Sequence, residues 1–242
     1  MGANTARMNI LLVGYGKMGR IIEHIAVRRG HTIAGRIDID NAGDLDAASA
    51  DVAIEFSHPD AAFDNVRRCL ERGIPVVCGT TGWLSRKPEI GKICTYYDGA
   101  FFYASNYSLG VNIFFKLNEY LARIMNTFPA YEISLDEIHH TEKKDAPSGT
   151  AISLAEGILN HVDRKKKWTV EDQGRPEEML ITSFRIAQIP GTHVVKYAST
   201  IDDIELKHTA HSREGFALGA VMVAEWLPGR KGLLSMDDYL KF

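Results

Sequence analysis

Apolar and polar positions follow two different rhythms along the 242-residue chain. Residues 9–13 form a short apolar run, as a strand buried on both faces does. Over 17–29, Met18, Ile21, Ile22 and Ile25 recur at helical spacing, with Arg20, Glu23 and Arg28 away from them. Gly30 ends that helix. Strands are predicted at 31–37 and 51–56. Pro59 opens a helix that residues 60–72 carry to Gly73, and further strands follow at 75–78 and 100–104. Strands alternating with helices predict parallel pairing through right-handed crossovers.

The rhythm then changes. Residues 107–126 predict a long helix with Leu109, Ile113, Leu117, Tyr120, Leu121 and Ile124 along one stripe. After it, 131–138, 180–188, 193–199 and 204–209 alternate apolar and polar positions, as strands with one wet face do. A last apolar helix, about 214–227, follows. The predicted fold is α/β: a Rossmann-type dinucleotide-binding domain (1–107 plus 213–242) and a second, α+β domain with an open mixed sheet (108–212).

Composition narrows the classes of function. The chain is 45% hydrophobic and 24% charged, with net charge −3, so nucleic acid is not the expected partner. The basic run Arg164-Lys165-Lys166-Lys167 is expected to be a solvated loop. Cys69, Cys78 and Cys94 are odd in number and lack Cys-x-x-Cys spacing, which fits reduced thiols. Neither a signal peptide nor a membrane span is visible, and a soluble cytoplasmic protein is expected.

Two segments carry chemistry. Gly14-Tyr15-Gly16-Lys17-Met18-Gly19 follows a strand and opens a helix. In that context its glycines permit a tight turn, close approach to a pyrophosphate and close helix–strand packing. Asp38 ends the second strand, about 20 residues on, where a carboxylate accepts ribose hydroxyls. It repels a 2′-phosphate, Ile39 follows it, and Asp40 adds negative charge. Arg36, Lys17 and His58 could offset that repulsion. The balance favours NADH, with NADPH possible. The run 38–43 lacks the ligands of a calcium loop at its fifth and twelfth positions, Ala42 and Ser49. Gly79-Thr80-Thr81-Gly82 forms a second loop after a strand, and Asn106 is read first as a helix cap.

The second segment runs His139-His140-Thr-Glu-Lys143-Lys-Asp-Ala-Pro-Ser148-Gly149-Thr150. Ser148 or Thr150 caps a helix at 151–160, and the N–H groups of Gly149 and Thr150 would face an anion, best a carboxylate. His139 or His140 could act as a general acid, with Lys143 supplying fixed charge or a proton. Adjacent histidines at a strand end are often only surface residues. Zinc is not expected, because the two would point to opposite faces of a strand.

With Phe56-Ser57, Ala104-Ser105-Asn106-Tyr107 and a segment at 213–216, these motifs resemble the bacterial dihydrodipicolinate reductases of lysine and diaminopimelate synthesis over nearly the whole chain. The resemblance implies a reductase using NADH or NADPH on a cyclic dicarboxylate. It implies His139 as acid/base and Lys143 as proton donor. It implies His140, Lys143, Gly149 and Thr150 on the substrate carboxylates. It places Gly14, Tyr15, Gly16, Lys17, Met18, Gly19, Asp38, Phe56, Gly79, Thr80, Thr81, Ala104, Ser105, Asn106, Tyr107, Arg213 and Phe216 around the nucleotide, with no metal, and implies a homotetramer. Three departures concern the cofactor. The glycine loop is one residue shorter than the family's, Lys17 stands where an arginine is common, and Ile39 stands where an arginine often follows the ribose carboxylate. The rival readings are another two-domain dehydrogenase of aspartate semialdehyde or homoserine, and a nucleotide-sensing module. A semialdehyde enzyme would need a nucleophilic cysteine in a second-domain loop, and a sensor would have no use for His139 and Lys143.

Overall fold

The structure is a computed structural model that describes residues 6–171, 175–212 and 214–242. The chain divides into two compact units, Met1–Ser108 with Glu214–Phe242, and Leu109–Arg213.

In the first unit, strands β1 (Asn9–Val13), β2 (Thr32–Ile37), β3 (Val52–Glu55), β4 (Val76–Cys78), β5 (Ala100–Tyr103) and β11 (Gly232–Leu234) form one parallel sheet, ordered β11-β5-β4-β3-β1-β2. Helices α1 (Lys17–Arg28) and α6 (Glu214–Trp226) pack together, as do α2 (Pro59–Glu71) and α3 (Lys87–Tyr96). Strand order reverses at β1, so the loops after β1 and β3 flank the crevice where such sheets bind ligands. The chain passes from β2 through a 3-10 stretch, Ile39–Ala47, directly to β3. The core includes Leu11, Val13, Ala53, Val66, Val76 and Phe101, all at most 1% exposed. The apolar helix α6 approaches the loop after β5 closely. A Cβ on Gly219 would lie 1.8 Å from the Tyr107 carbonyl oxygen.

In the second unit, β6 (Glu132–His139), β7 (Lys167–Thr169), β8 (Glu178–Arg185), β9 (Gly191–Ala198) and β10 (Asp203–Ala210) form a mixed sheet ordered β10-β9-β6-β8-β7. β6 runs parallel to β8 and antiparallel to β9. Its period-2 pattern puts Ile133, Leu135, Glu137 and His139 on one buried face. Ile133 and Leu135 share a core with Leu154 and Ile158 of α5 (Gly149–Leu159) and Phe114 of α4 (Leu109–Met125).

The basic run corrects one sequence expectation. Lys165 is 2% exposed. Its ammonium pairs with Glu132 and donates to the carbonyls of Pro176 and Glu178, each at 2.8 Å. Arg164 donates to the carbonyls of Met125 and Tyr131, and Lys167 opens β7. Backbone carbonyls distant in sequence take these cations inward, a tertiary effect that local charge density does not reveal. Helix α3 and strands β7 and β11 are not predicted by the apolar pattern.

Candidate functional site

In the first unit, the glycine loop is forced by close packing. Gly14 has φ +92°, and a Cβ there would lie 2.1 Å from the Phe56 carbonyl oxygen. A Cβ on Gly19 would lie 2.4 Å from the Gly14 carbonyl oxygen. The β1 loop therefore sits directly on the β3 loop, and α1 begins directly against its own loop. Gly14, Tyr15, Asp38, Ile39, Phe56 and His58 line a cleft of about 460 Å³. Gly16 and Lys17 are exposed at the start of α1, and Met18 is half-buried. The Asp38 carboxylate accepts from Ile39 N at 2.9 Å, and Asp38 N donates to Asn41 Oδ1 at 2.7 Å, a reciprocal cap on the 3-10 stretch.

The loop after β4 is tied to the one after β3. Ser57 N donates to Thr80 Oγ1 at 2.8 Å, and the Thr80 carbonyl accepts from Trp83 Nε1 at 2.7 Å. Gly79 lies against the Phe56 ring, where a Cβ would be 2.2 Å from ring carbons. Buried Tyr107 donates to the Cys78 carbonyl at 2.7 Å, with its ring 5.6 Å from that of Phe56. Thr81 and Ser105 are exposed, Ala104 is buried, and Phe216 is half-buried in the first turn of α6. Asn106 Oδ1 accepts from Ser108 N at 2.8 Å, just ahead of α4. Arg213 lies outside the described residues. The sequence reading missed Glu55, wholly buried, which accepts from Ser57 and from Cys78 Sγ and so joins the two loops. A lone carboxylate in the apolar run 52–55 was its available signal.

In the second unit, His139 is 7% exposed, and its Nδ1 lies 3.5 Å from Glu137 Oε2. Strand register supplies the neighbours, pairing Glu137 with His193 on β9 and with Ser183 on β8, and His139 with Arg185. The Glu137 carboxylate accepts from Ser148 N at 3.0 Å, Ser183 Oγ at 2.8 Å and Arg185 Nη2 at 3.1 Å. His193 Nε2 contacts Ser148 Oγ at 3.1 Å, and its ring lies edge-on to His139 with centroids 5.0 Å apart. Ser148 caps α5, its Oγ accepting from Ala151 N at 3.2 Å. The first-turn amides of Gly149 and Thr150 are among the groups a helix cannot satisfy internally. Lys143 pairs with Asp145, Nζ lying 2.8 Å from each carboxylate oxygen. His140, just past β6, is half-buried, and its Nδ1 has no hydrogen-bond partner among the described residues. His193, Ser183 and Arg185 were not singled out from sequence, because only strand pairing brings them to Glu137.

These contacts set the protonation states. Burial pushes the His139 imidazole below its usual value, and Lys143 and Arg185 push the same way against Glu137. Burial, with His139 beside it, lowers His193 to about 4. Burial would raise Glu137, but hydrogen bonds from Ser148, Ser183 and Arg185 outweigh it and hold the carboxyl below the usual range. Ligand atoms of Glu137, His139 and His193 lie within 4.8 Å of one another. Arg185 already neutralises that carboxylate, so a divalent cation there would meet a guanidinium at close range. Burial raises all three cysteine thiols, Cys69 to about 12 and Cys94 to about 11, and Glu55 raises Cys78 further. None of them is an activated nucleophile.

Family models for dihydrodipicolinate reductase match residues 8–107 (N-terminus) and 110–240 (C-terminus). A 4-hydroxy-tetrahydrodipicolinate reductase of Christiangramia forsetii is 49% identical over 234 residues, 96% of this chain and 98% of its own length. One from Archaeoglobus fulgidus is 34% identical over 254 residues, 93% and 96% of the two chains. Among solved structures, a dipicolinate-bound dihydrodipicolinate reductase from Paenisporosarcina sp. TG-14 superposes with TM-score 0.80 over 97% of this chain and 99% of its own, at 18% identity, a likeness of fold. On the two family models and the full-length relatives, the chain belongs to the dihydrodipicolinate reductase family.

Proposed function

We propose that this chain reduces 4-hydroxy-tetrahydrodipicolinate to tetrahydrodipicolinate in the diaminopimelate route to lysine, as a pyridine-nucleotide-dependent oxidoreductase. Relatedness over 96% of the chain carries this reading. The donor set fits the cofactor. Gly14 lies against the β3 loop with no room for a side chain, and Asp38 lines the cleft beside it. Gly14, Tyr15, Gly16, Lys17, Met18 and Gly19 would hold the pyrophosphate, Asp38 the ribose, and Phe56, 79–81, 104–107, Arg213 and Phe216 the remainder. When bound, the nicotinamide supplies hydride to C4 of the substrate's conjugated C=C–C=N system.

The chain's own residues supply the rest. Lys143, His140 and the amides of Gly149 and Thr150 bind the two carboxylates. His139 or Lys143 delivers the proton that C3 then needs. A neutral buried imidazole is a poor acid, but a dianion beside it favours the imidazolium, so substrate binding itself arms His139. Asp38 and Ile39 favour NADH over NADPH. The protein would be cytoplasmic and a homotetramer, the half-exposed sheet face that carries Leu180, Thr182 and Phe184 supporting self-association. Among the described residues, no helix is long and apolar enough to cross a membrane.

The test couples the purified chain to dihydrodipicolinate synthase and follows nicotinamide absorbance. Oxidation dependent on the coupling enzyme supports the reading, and oxidation no faster than background sinks it. A strong preference for NADPH in kcat/KM would overturn the cofactor assignment alone, and light scattering tests the tetramer.

A further inference from the structure

Beside the glycine loop lies a charge cluster that the reaction does not use. Glu23 on α1 accepts from the Tyr15 hydroxyl and from two nitrogens of Arg36 on β2, Nε at 3.0 Å and Nη2. The Tyr15 ring is flanked by the guanidiniums of Arg20 and Arg36, 4.9 and 5.7 Å from its centroid. Tyr15 lines the cleft beside Asp38 and Ile39. Arg36 thus stands against a ring that lines the cleft, two residues before the carboxylate that would take the ribose. Its guanidinium presents a fork suited to carboxylate or phosphate, and Glu23 occupies one edge of that fork. The Glu23 carboxyl is held below the usual range, first by Arg36, so it stays charged near neutral pH. Glu23 and Asp38 would then oppose a phosphate on the 2′ position while Arg36 is engaged elsewhere.

We propose that Glu23 is a specificity-determining residue, which by pairing with Arg36 keeps that cation from a 2′-phosphate and favours a nucleotide with a free 2′-hydroxyl. The proposal rests on the nucleotide reading of the cleft. It differs from the contribution of Asp38, which acts on the ribose directly. Glu23 acts by cancelling a neighbouring positive charge.

The test measures affinities of the intact chain for 5′-AMP and for 2′,5′-ADP by calorimetry, with kcat/KM for NADH and NADPH as a second readout. Glu23→Gln keeps an acceptor for Tyr15 but removes the charge. It should tighten 2′,5′-ADP relative to 5′-AMP by about tenfold, the size of one charge-assisted contact to phosphate. The double variant Glu23→Gln/Arg36→Met should lose that gain. Arg36→Met alone should change the ratio by less than about twofold, because the cation is already engaged. An unchanged ratio in Glu23→Gln overturns the proposal, as does a gain that survives in the double variant. So does an Arg36→Met protein that loses 2′,5′-ADP selectively. A wild-type chain that binds neither 5′-AMP nor NADH would instead overturn the nucleotide reading itself.

Discussion

The Nδ1 atom of His139 lies 3.5 Å from Oε2 of Glu137, two residues earlier on the same buried face of β6. A carboxylate so placed favours the charged form of the imidazole. Loss of one positioned acid typically costs about 10²–10⁴-fold in rate. His139→Gln is therefore expected to lower kcat by that order with nucleotide affinity unchanged, read by steady-state kinetics beside NADH titration. Turnover at the wild-type rate would remove His139 from the proton relay.

Glu137 is expected to matter twice. Its carboxylate joins β6, β8 and the turn before α5 through Arg185, Ser183 and Ser148. Glu137→Gln keeps the shape but removes the charge that Arg185, Ser183 and Ser148 donate to, at a cost of about 1.5–3 kcal/mol for a hydrogen bond to a charged group. The native carboxyl titrates below its ordinary value, so its stabilisation is present above the unfolded pKa of about 4.5 and is lost as pH falls through the lower folded value. Denaturant midpoints of wild type and variant should differ at pH 7 and converge in strong acid. A constant difference would assign the loss to packing.

Much of this was legible in the chain because the signals were local. The run 9–13 is β1, the glycine loop follows it, and of the two expected caps, Ser148 and Thr150, Ser148 caps α5. Most of what escaped was non-local or short. His193 meets Glu137 only through the β6–β9 register. The run 164–167 reads as solvated because nothing nearby in sequence announces the carbonyls of Pro176 and Glu178 that Lys165 reaches. β7 and β11 have three residues each, too few for a period to show.

Gly219 separates helix propensity from packing. Alanine in a helix interior is favoured over glycine by about 1 kcal/mol. At Gly219 the added Cβ would sit 1.8 Å from the Tyr107 carbonyl oxygen, which is backbone and cannot swing away. Overpacking of this kind costs about 3 kcal/mol or more, so clash outweighs propensity. Gly219→Ala should lower Tm by several degrees or abolish soluble expression. A Tm equal to or above wild type would mean that α6 can move off the loop without cost.

His193 gives the pH dependence its sign. Its side chain is 6% exposed, and it faces His139, Glu137 and Ser148, with Lys143 and His208 also contributing charge. Its folded pKa is lowered from 6.5 to about 4. The unfolded chain therefore takes up a proton below about pH 6.5 that the native protein refuses until about pH 4. Stability contributed by the neutral ring is full above the first value and declines as pH falls towards the second. Between pH 7 and pH 5 the loss is on the order of 2 kcal/mol. His193→Gln should flatten this part of the stability profile while leaving the steeper carboxylate transition below about pH 4.5 in place, as read from urea midpoints at half-unit pH steps. An unaltered slope would show that His193 is protonated in the folded protein, paired with Glu137 despite its burial.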